Sequence, residues 1–278
     1  MGYQTILVHC DAGKKVAAHL DVAAELAQRF GATFVGLHAQ PPFEMPAFAD
    51  ASFSMAPVYK AFEEGAKKDR ATSRQAFDKA LKGRHLPTEW RVVDDYPEEA
   101  LAIAARYADL VVVGQSTPDN DIGTPASLPE NVALSTGRPV LVVPHIGADK
   151  VPGKKVMLCW NASRESARAA SDALPFLEAA DEVVVLIVDP KTSANGHGAE
   201  PGADVATWLT RHGAKVSVHR ETAADLDVGN VILSRAADLD VDLIVMGAYG
   251  HSRMRELVMG GVSRTLLATM TVPVLMSH

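Results

Sequence analysis

Along the chain, short unbroken apolar runs alternate with longer stretches whose apolar residues recur every three or four positions. The first run is Thr5-Ile6-Leu7-Val8. After it, Val16, Leu20, Ala23, Ala27 and Phe30 fall on one face of a helix. Gly31 ends that helix, and Thr33-Phe34-Val35-Gly36-Leu37 predicts a second strand. The pattern then predicts a helix over about 61–83, a strand at 89–93, a helix over about 97–107 and a strand at Leu110-Val111-Val112-Val113-Gly114. A last run, Val140-Leu141-Val142-Val143, follows Gly137.

The second half repeats this order. Its strands are predicted at 155–159, 183–188, 215–218, 243–246 and 272–276. Its helices begin near Ser163, a suitable N-cap, carrying Ala167, Ala170, Leu174 and Leu177 on one face, and recur around 204–212 and 228–238. Ala108-Asp109-Leu110-Val111-Val112-Val113-Gly114 parallels Val241-Asp242-Leu243-Ile244-Val245-Met246-Gly247, and Arg138-Pro139-Val140 parallels Val272-Pro273-Val274. Alternating strands and helices, with strands apolar on both faces, predict α/β domains built on parallel sheets. Gly147, Pro152 and Gly153 punctuate the join, which sets the expected domains at 1–147 and 153–278.

A length of 278 residues suits two such domains. A formal charge of −7 offers no basic excess for a nucleic acid or an acidic membrane. No apolar run reaches membrane-spanning length, and the start of the chain reads as a strand rather than a secretory signal. The expectation is a cytoplasmic protein whose cysteines, Cys10 and Cys159, are reduced buried thiols at matching strand ends; redox sensing is the alternative.

Chemistry concentrates after the strand that ends at Met246. Gly247 and Gly250 are followed by Gly260-Gly261 and then Ser263. Glycines let backbone amides approach an anion, and a helix opening at such a turn offers unpaired N–H groups. The first half has no second glycine pair, and Pro118, Pro125 and Pro129 interrupt the equivalent stretch. Its loop after the first strand carries Asp11, whereas the second half carries Trp160-Asn161-Ala162-Ser163. The ten histidines are scattered, with no HExxH spacing, and neither a GxSxG elbow nor a GxxxxGK[ST] loop occurs, so no catalytic or metal-ligating residue is assigned.

Two copies of a βα unit, the second ending in G-x2-G-x9-G, resemble a tandem universal stress protein. The spacing matches at Gly247, Gly250 and Gly260; where the family places Ser or Thr next, this chain has Gly261, and Ser263 follows two positions on. The resemblance implies two tandem doubly wound, Rossmann-like domains of the adenine nucleotide alpha hydrolase-like type. It also implies a site for ATP or ADP in the second half, used in stress response through nucleotide-dependent conformation or partner binding. Gly250, His251, Gly260, Gly261, Val262 and Ser263 would hold the phosphates, with Arg253 beside them. The strand end Met246-Gly247 would lie near the ribose, and Trp160, Asn161, Ser163 and Asp189 near the nucleoside.

Each assignment has a plainer counterpart. His251 and Arg253 read equally as solvated loop residues, Ser263 as an N-cap, Asp189 as a turn residue before Pro190, and Trp160 as packing between the halves. Two other functions stay open. One is slow ATP hydrolysis or autophosphorylation with Mg²⁺, Asp189, and Ser252 or Ser263 as phosphoacceptor. The other is a scaffold for an unidentified protein partner with a vestigial site, which Asn161 and Gly261 favour. The edge at 272–276 offers a pairing surface, met either by 140–143 of the same chain, as an intramolecular pseudo-dimer, or by a second chain in a homodimer.

Overall fold

A computed structural model describes residues 2–45, 55–116, 127–148, 150–190, 199–248 and 261–278. The first half runs β1 (Thr5–His9), α1 (Val16–Phe30), β2 (Thr33–Ala39), α2 (Ala56–Ala80), β3 (Thr88–Val93) and α3 (Pro97–Ala104). A 3-10 turn (Ala105–Tyr107), β4 (Leu110–Gly114), α4 (Leu128–Ser135) and β5 (Val140–Val143) complete it. The second half runs β6 (Lys155–Cys159), α5 (Arg164–Asp172), α6 (Leu174–Ala179), β7 (Glu182–Val188), α7 (Ala203–Arg211) and β8 (Val216–Glu221). It ends with α8 (Val228–Asp238), β9 (Leu243–Gly247), α9 (Gly261–Thr269) and β10 (Val274–Ser277).

The repeat read from the sequence is present element by element, with two differences. The helix expected to continue from Ser163 through Leu177 breaks at Ala173, where Pro175 enters as the second residue of α6. Proline is at ease in a first turn and not in a helix interior, so the chain restarts rather than continues. The short helix α4, which no apolar period announces, covers the sheet with Leu128 and Val132.

The ten strands of the described residues form one sheet, in the order β3-β2-β1-β4-β5-β10-β9-β6-β7-β8. Each half has the doubly wound order, and its internal pairings are parallel. The halves meet where β5 and β10 pair antiparallel, with Val142 opposite Val274, Leu141 opposite Leu275 and Val140 opposite Met276. The exposed edge of each half thus satisfies the other, as an intramolecular pseudo-dimer.

The strands bury both faces. Leu20, Phe77, Ala169, Phe176 and Leu209 bring α1, α2, α5, α6 and α7 to one core. Leu101, Val132, Ile232 and Leu266 bring α3, α4, α8 and α9 to the other. At the amino ends of the strands the halves are also tied by side chains. Tyr3, Phe30 and Phe176 pack as an aromatic trio with centroids 5.1–5.6 Å apart. The Tyr3 hydroxyl donates to the Asp172 carbonyl (2.7 Å), and Arg29 donates to the carbonyls of Pro152 and Gly153.

The two aspartates of the repeated strand motif have one task. Asp109 accepts from the N–H groups of Gln4 (2.8 Å) and Thr5 (3.0 Å). Asp242 accepts from Gly153 (2.7 Å), Lys154 (3.1 Å) and Lys155 (3.2 Å). Each carboxylate pins the start of its half's central strand.

Candidate functional site

In an open α/β sheet the ligand crevice forms at the carboxyl ends of the strands, where the strand order reverses. Here that point lies between β1 and β4 in the first half and between β6 and β9 in the second.

In the second half, β6 delivers Trp160 and Asn161 to this end. Trp160 stays on the sheet through its N–H, which donates to the Leu186 carbonyl (2.9 Å), and its ring is half-buried against the first core. Asn161 is exposed. Its Oδ1 accepts from the Ser163 N–H (3.1 Å), closing a tight turn in which Ala162 adopts a positive φ of 58°. This turn leaves the Asn161 Nδ2 donors unused. Ser163 caps α5, its Oγ accepting from the Ser166 N–H (3.1 Å), as its residue type predicts.

Gly247 ends β9 beside this turn, and its identity has a packing cause. A Cβ there would stand 2.5 Å from the Glu165 carbonyl carbon and 2.6 Å from the Ser166 nitrogen. The first turn of α5 therefore rests on the Gly247 backbone. Met246 is buried in the second core by its side chain, so what it presents at the strand end is its main chain.

Asp189 is exposed at the end of β7, with φ of 48°. Its N–H donates to the Glu221 carbonyl (2.9 Å) and its Oδ1 accepts from the Ala223 N–H (3.1 Å). That is the turn role, played by tying β7 to the segment after β8.

Gly261 opens the described part of α9. It is exposed, and a Cβ added there would meet no atom of the described residues within 4 Å. Val262 is partly buried against the second core. Ser263 is 4% exposed and stands inside α9, so it does not cap that helix; its reading as an N-cap is corrected. Gly250, His251, Arg253 and Gly260 lie outside the described residues, as do Ser252 and the first half's Pro118 and Pro125.

The equivalent end of the first half is chemically different. Asp11 makes the same turn, its Oδ1 accepting from the Gly13 N–H (2.7 Å), but it is almost buried and its Oδ2 lies 3.7 Å from His9 Nδ1. His9, His19 and His38 are all buried here. His19 Nε2 lies 2.8 Å from the His9 carbonyl, and His38 Nδ1 lies 3.0 Å from the Cys10 carbonyl and 2.9 Å from Ser73 Oγ. Burial lowers His9 to about 4, against the opposing pull of Asp11, and lowers His19 too. No sequence motif marks this cluster; its members sit at positions 9, 19 and 38, and only the β1–α1–β2 arrangement brings them to one end.

The two cysteines are offset by one residue: β1 ends at His9 and β6 at Cys159, so Cys10 corresponds to Trp160. Side chains alternate along a strand, and Cys10 joins the first core while Cys159 packs against the second. Burial raises both thiols, that of Cys159 to about 12. Cys10 is buried, as expected, whereas Cys159 is only partly so; thiols raised in this way are poor nucleophiles.

Among the described residues, no group of three or more His, Cys, Asp or Glu side chains could hold a metal ion, and no helix is long and apolar enough to cross a membrane.

The model of the universal stress protein family matches the chain twice, over residues 2–144 and 153–278. No curated protein matches it. Among solved structures, a universal stress protein from Archaeoglobus fulgidus DSM 4304 is 15% identical. It covers 98% of this chain and 95% of its own, with a TM-score of 0.71. A functionally unknown protein from Pseudomonas aeruginosa PAO1 is 14% identical, covering 99% of this chain and 92% of its own, with a TM-score of 0.60. Both likenesses establish the fold of the whole chain. A universal stress protein in complex with cAMP is 27% identical over 52% of this chain and 99% of its own, with a TM-score of 0.37.

Proposed function

The chain belongs to the universal stress protein family, and on that premise we propose that its second half binds ATP or ADP at the carboxyl ends of β6 and β9. One observation carries the reading: the two halves share a fold but not a crevice. Where the first half presents a nearly buried Asp11 among buried imidazoles, the second presents an exposed Asn161 and a helix opening at an exposed glycine.

The parts have the chemistry the ligand requires. Asn161 keeps its amide N–H groups for a ribose or base edge, since its own turn uses only Oδ1. The half-buried Trp160 beside it offers an indole face. The first N–H groups of α9 have no partner within the helix and favour an anion. Gly250, His251, Arg253 and Gly260 complete the phosphate end of the proposal. The role is binding: the nucleotide would bias a partner surface in stress response, in the cytoplasm, and no residue is assigned to turnover.

A second reading, an interaction scaffold, draws on specific contacts. Gly247 is required by α5, Asp189 pins a loop, and the Asn161 turn is matched by Asp11. Each therefore has structural work without a ligand.

The test is direct. The purified protein is denatured and any released nucleotide identified by mass; the ligand-free chain is then titrated calorimetrically with ATP, ADP and cAMP. Heat with ATP or ADP is expected. A Gly261→Ser variant adds the hydroxyl that the family carries, at a place that no described residue crowds. It should tighten binding by about tenfold or more, the worth of one added hydrogen bond to a charged group. No carried nucleotide and no heat would overturn the nucleotide reading.

A further inference from the structure

Gln115 follows β4 in the first half, yet its side chain serves the second. It is 4% exposed. Its Nε2 donates to the carbonyls of Leu267 (2.8 Å) and Ala268 (3.3 Å) in the last turn of α9. Its Oε1 accepts from the His145 N–H (3.1 Å) and lies 2.7 Å from His145 Nδ1. The amide orientation is thereby fixed. Turned over, it would set oxygen against two carbonyls and NH₂ against a backbone N–H.

The last carbonyls of a helix lack donors within it, so this buried amide is a C-terminal cap supplied from the other half. The pseudo-symmetric residue cannot reciprocate. Gln115 N–H donates to the Val143 carbonyl and Ala248 N–H to the Ser277 carbonyl, both at 2.8 Å, so the two residues hold equivalent places. Alanine has no side-chain donor. The link therefore runs one way, from the first half into α9, the helix that opens at Gly261.

We infer that Gln115 is a positioning residue: the first half uses it to fix the seat of α9, and through that seat to set ligand affinity at the Gly261 end. A short helix moves as a unit, so a shift in its last turn reaches its first. The affinity clause rests on the nucleotide reading above; the seating clause does not.

The full chain is compared with Gln115→Leu, which leaves two carbonyls and an N–H without partners, and with the milder Gln115→Asn, whose shorter amide cannot span the same gap. Tyr3→Phe is the control, since it removes an inter-half hydrogen bond at the opposite ends of the strands. Hydrogen exchange of the 261–269 amides and calorimetric ATP affinity are measured below the melting temperature. Both Gln115 variants should speed exchange in α9 and weaken ATP by roughly five- to tenfold. Tyr3→Phe should lower Tm while leaving both readouts at wild-type values. Unchanged α9 exchange in both Gln115 variants would overturn the inference, as would unchanged affinity despite a loosened helix. If α9 loosens in a protein that takes up no adenine nucleotide even as wild type, the seating role stands and the nucleotide reading falls.

Discussion

Acidification should destabilise this protein through its first half, and the size of the effect follows from two buried imidazoles. His9 and His19 are 2% exposed, and burial holds both below the ordinary histidine value of 6.5, His9 at about 4. Above pH 6.5 neither the folded nor the unfolded chain protonates His9, so it contributes no pH dependence. Below that value the unfolded chain takes up the proton while the folded one does not, until about pH 4. Across that window the unfolded state holds the extra proton, so stability falls as pH falls, by about 1.4 kcal/mol per pH unit for each such histidine. For His9 the window amounts to about 3 kcal/mol, against a total of roughly 5–15 kcal/mol for a typical domain. His19 adds to it in the same direction. Urea unfolding at a series of pH values between about 7.5 and 4.5 measures the slope, for wild type and for His9→Gln. The variant starts from its own stability, so only slopes are compared. Its slope between about pH 5 and 6 should be shallower by about 1.4 kcal/mol per pH unit. Equal slopes would refute the reasoning, because they would mean that His9 is protonated in the folded chain.

Three other outcomes follow from the contacts. Asp242→Ala should cost about 3 kcal/mol or more in urea unfolding, since it strips three backbone N–H groups of a charged acceptor; Asp109→Ala, which frees two in a more open place, should cost about half as much. Gly247→Ala should destabilise by about 1–3 kcal/mol, because the new Cβ meets the backbone of Glu165 and Ser166, which cannot rotate aside; a melting curve superimposable on wild type would contradict that packing. Ellman's reagent at about pH 8 should find no reactive thiol in the folded protein and both after denaturation, since burial keeps Cys10 and Cys159 protonated.

Periodicity made most elements legible, and it failed for physical reasons that can be named. Leu174 and Leu177 continue the helical spacing of Ala167 and Ala170, yet the helix breaks at Ala173 because Pro175 suits a new first turn. α4 offers only eight residues, too few for a period to show. In the candidate site, residue types correctly indicated the Ser163 cap. They misplaced the Ser263 cap, because the role of a side chain depends on where its strand or helix begins. The same offset separates Cys10 from Cys159.

The sequence by itself determined the duplicated α/β order, the family, and the contrast between a half with a second glycine pair and one without. These are properties of local runs and spacings, written in consecutive residues. Only the tertiary structure decided that one sheet spans both halves, that Gly247 is held by α5, that three distant histidines share one buried end, and that Gln115 caps a helix 152 residues away. Each depends on which backbone group a folded chain brings within hydrogen-bond or van der Waals reach, and no local pattern encodes that distance.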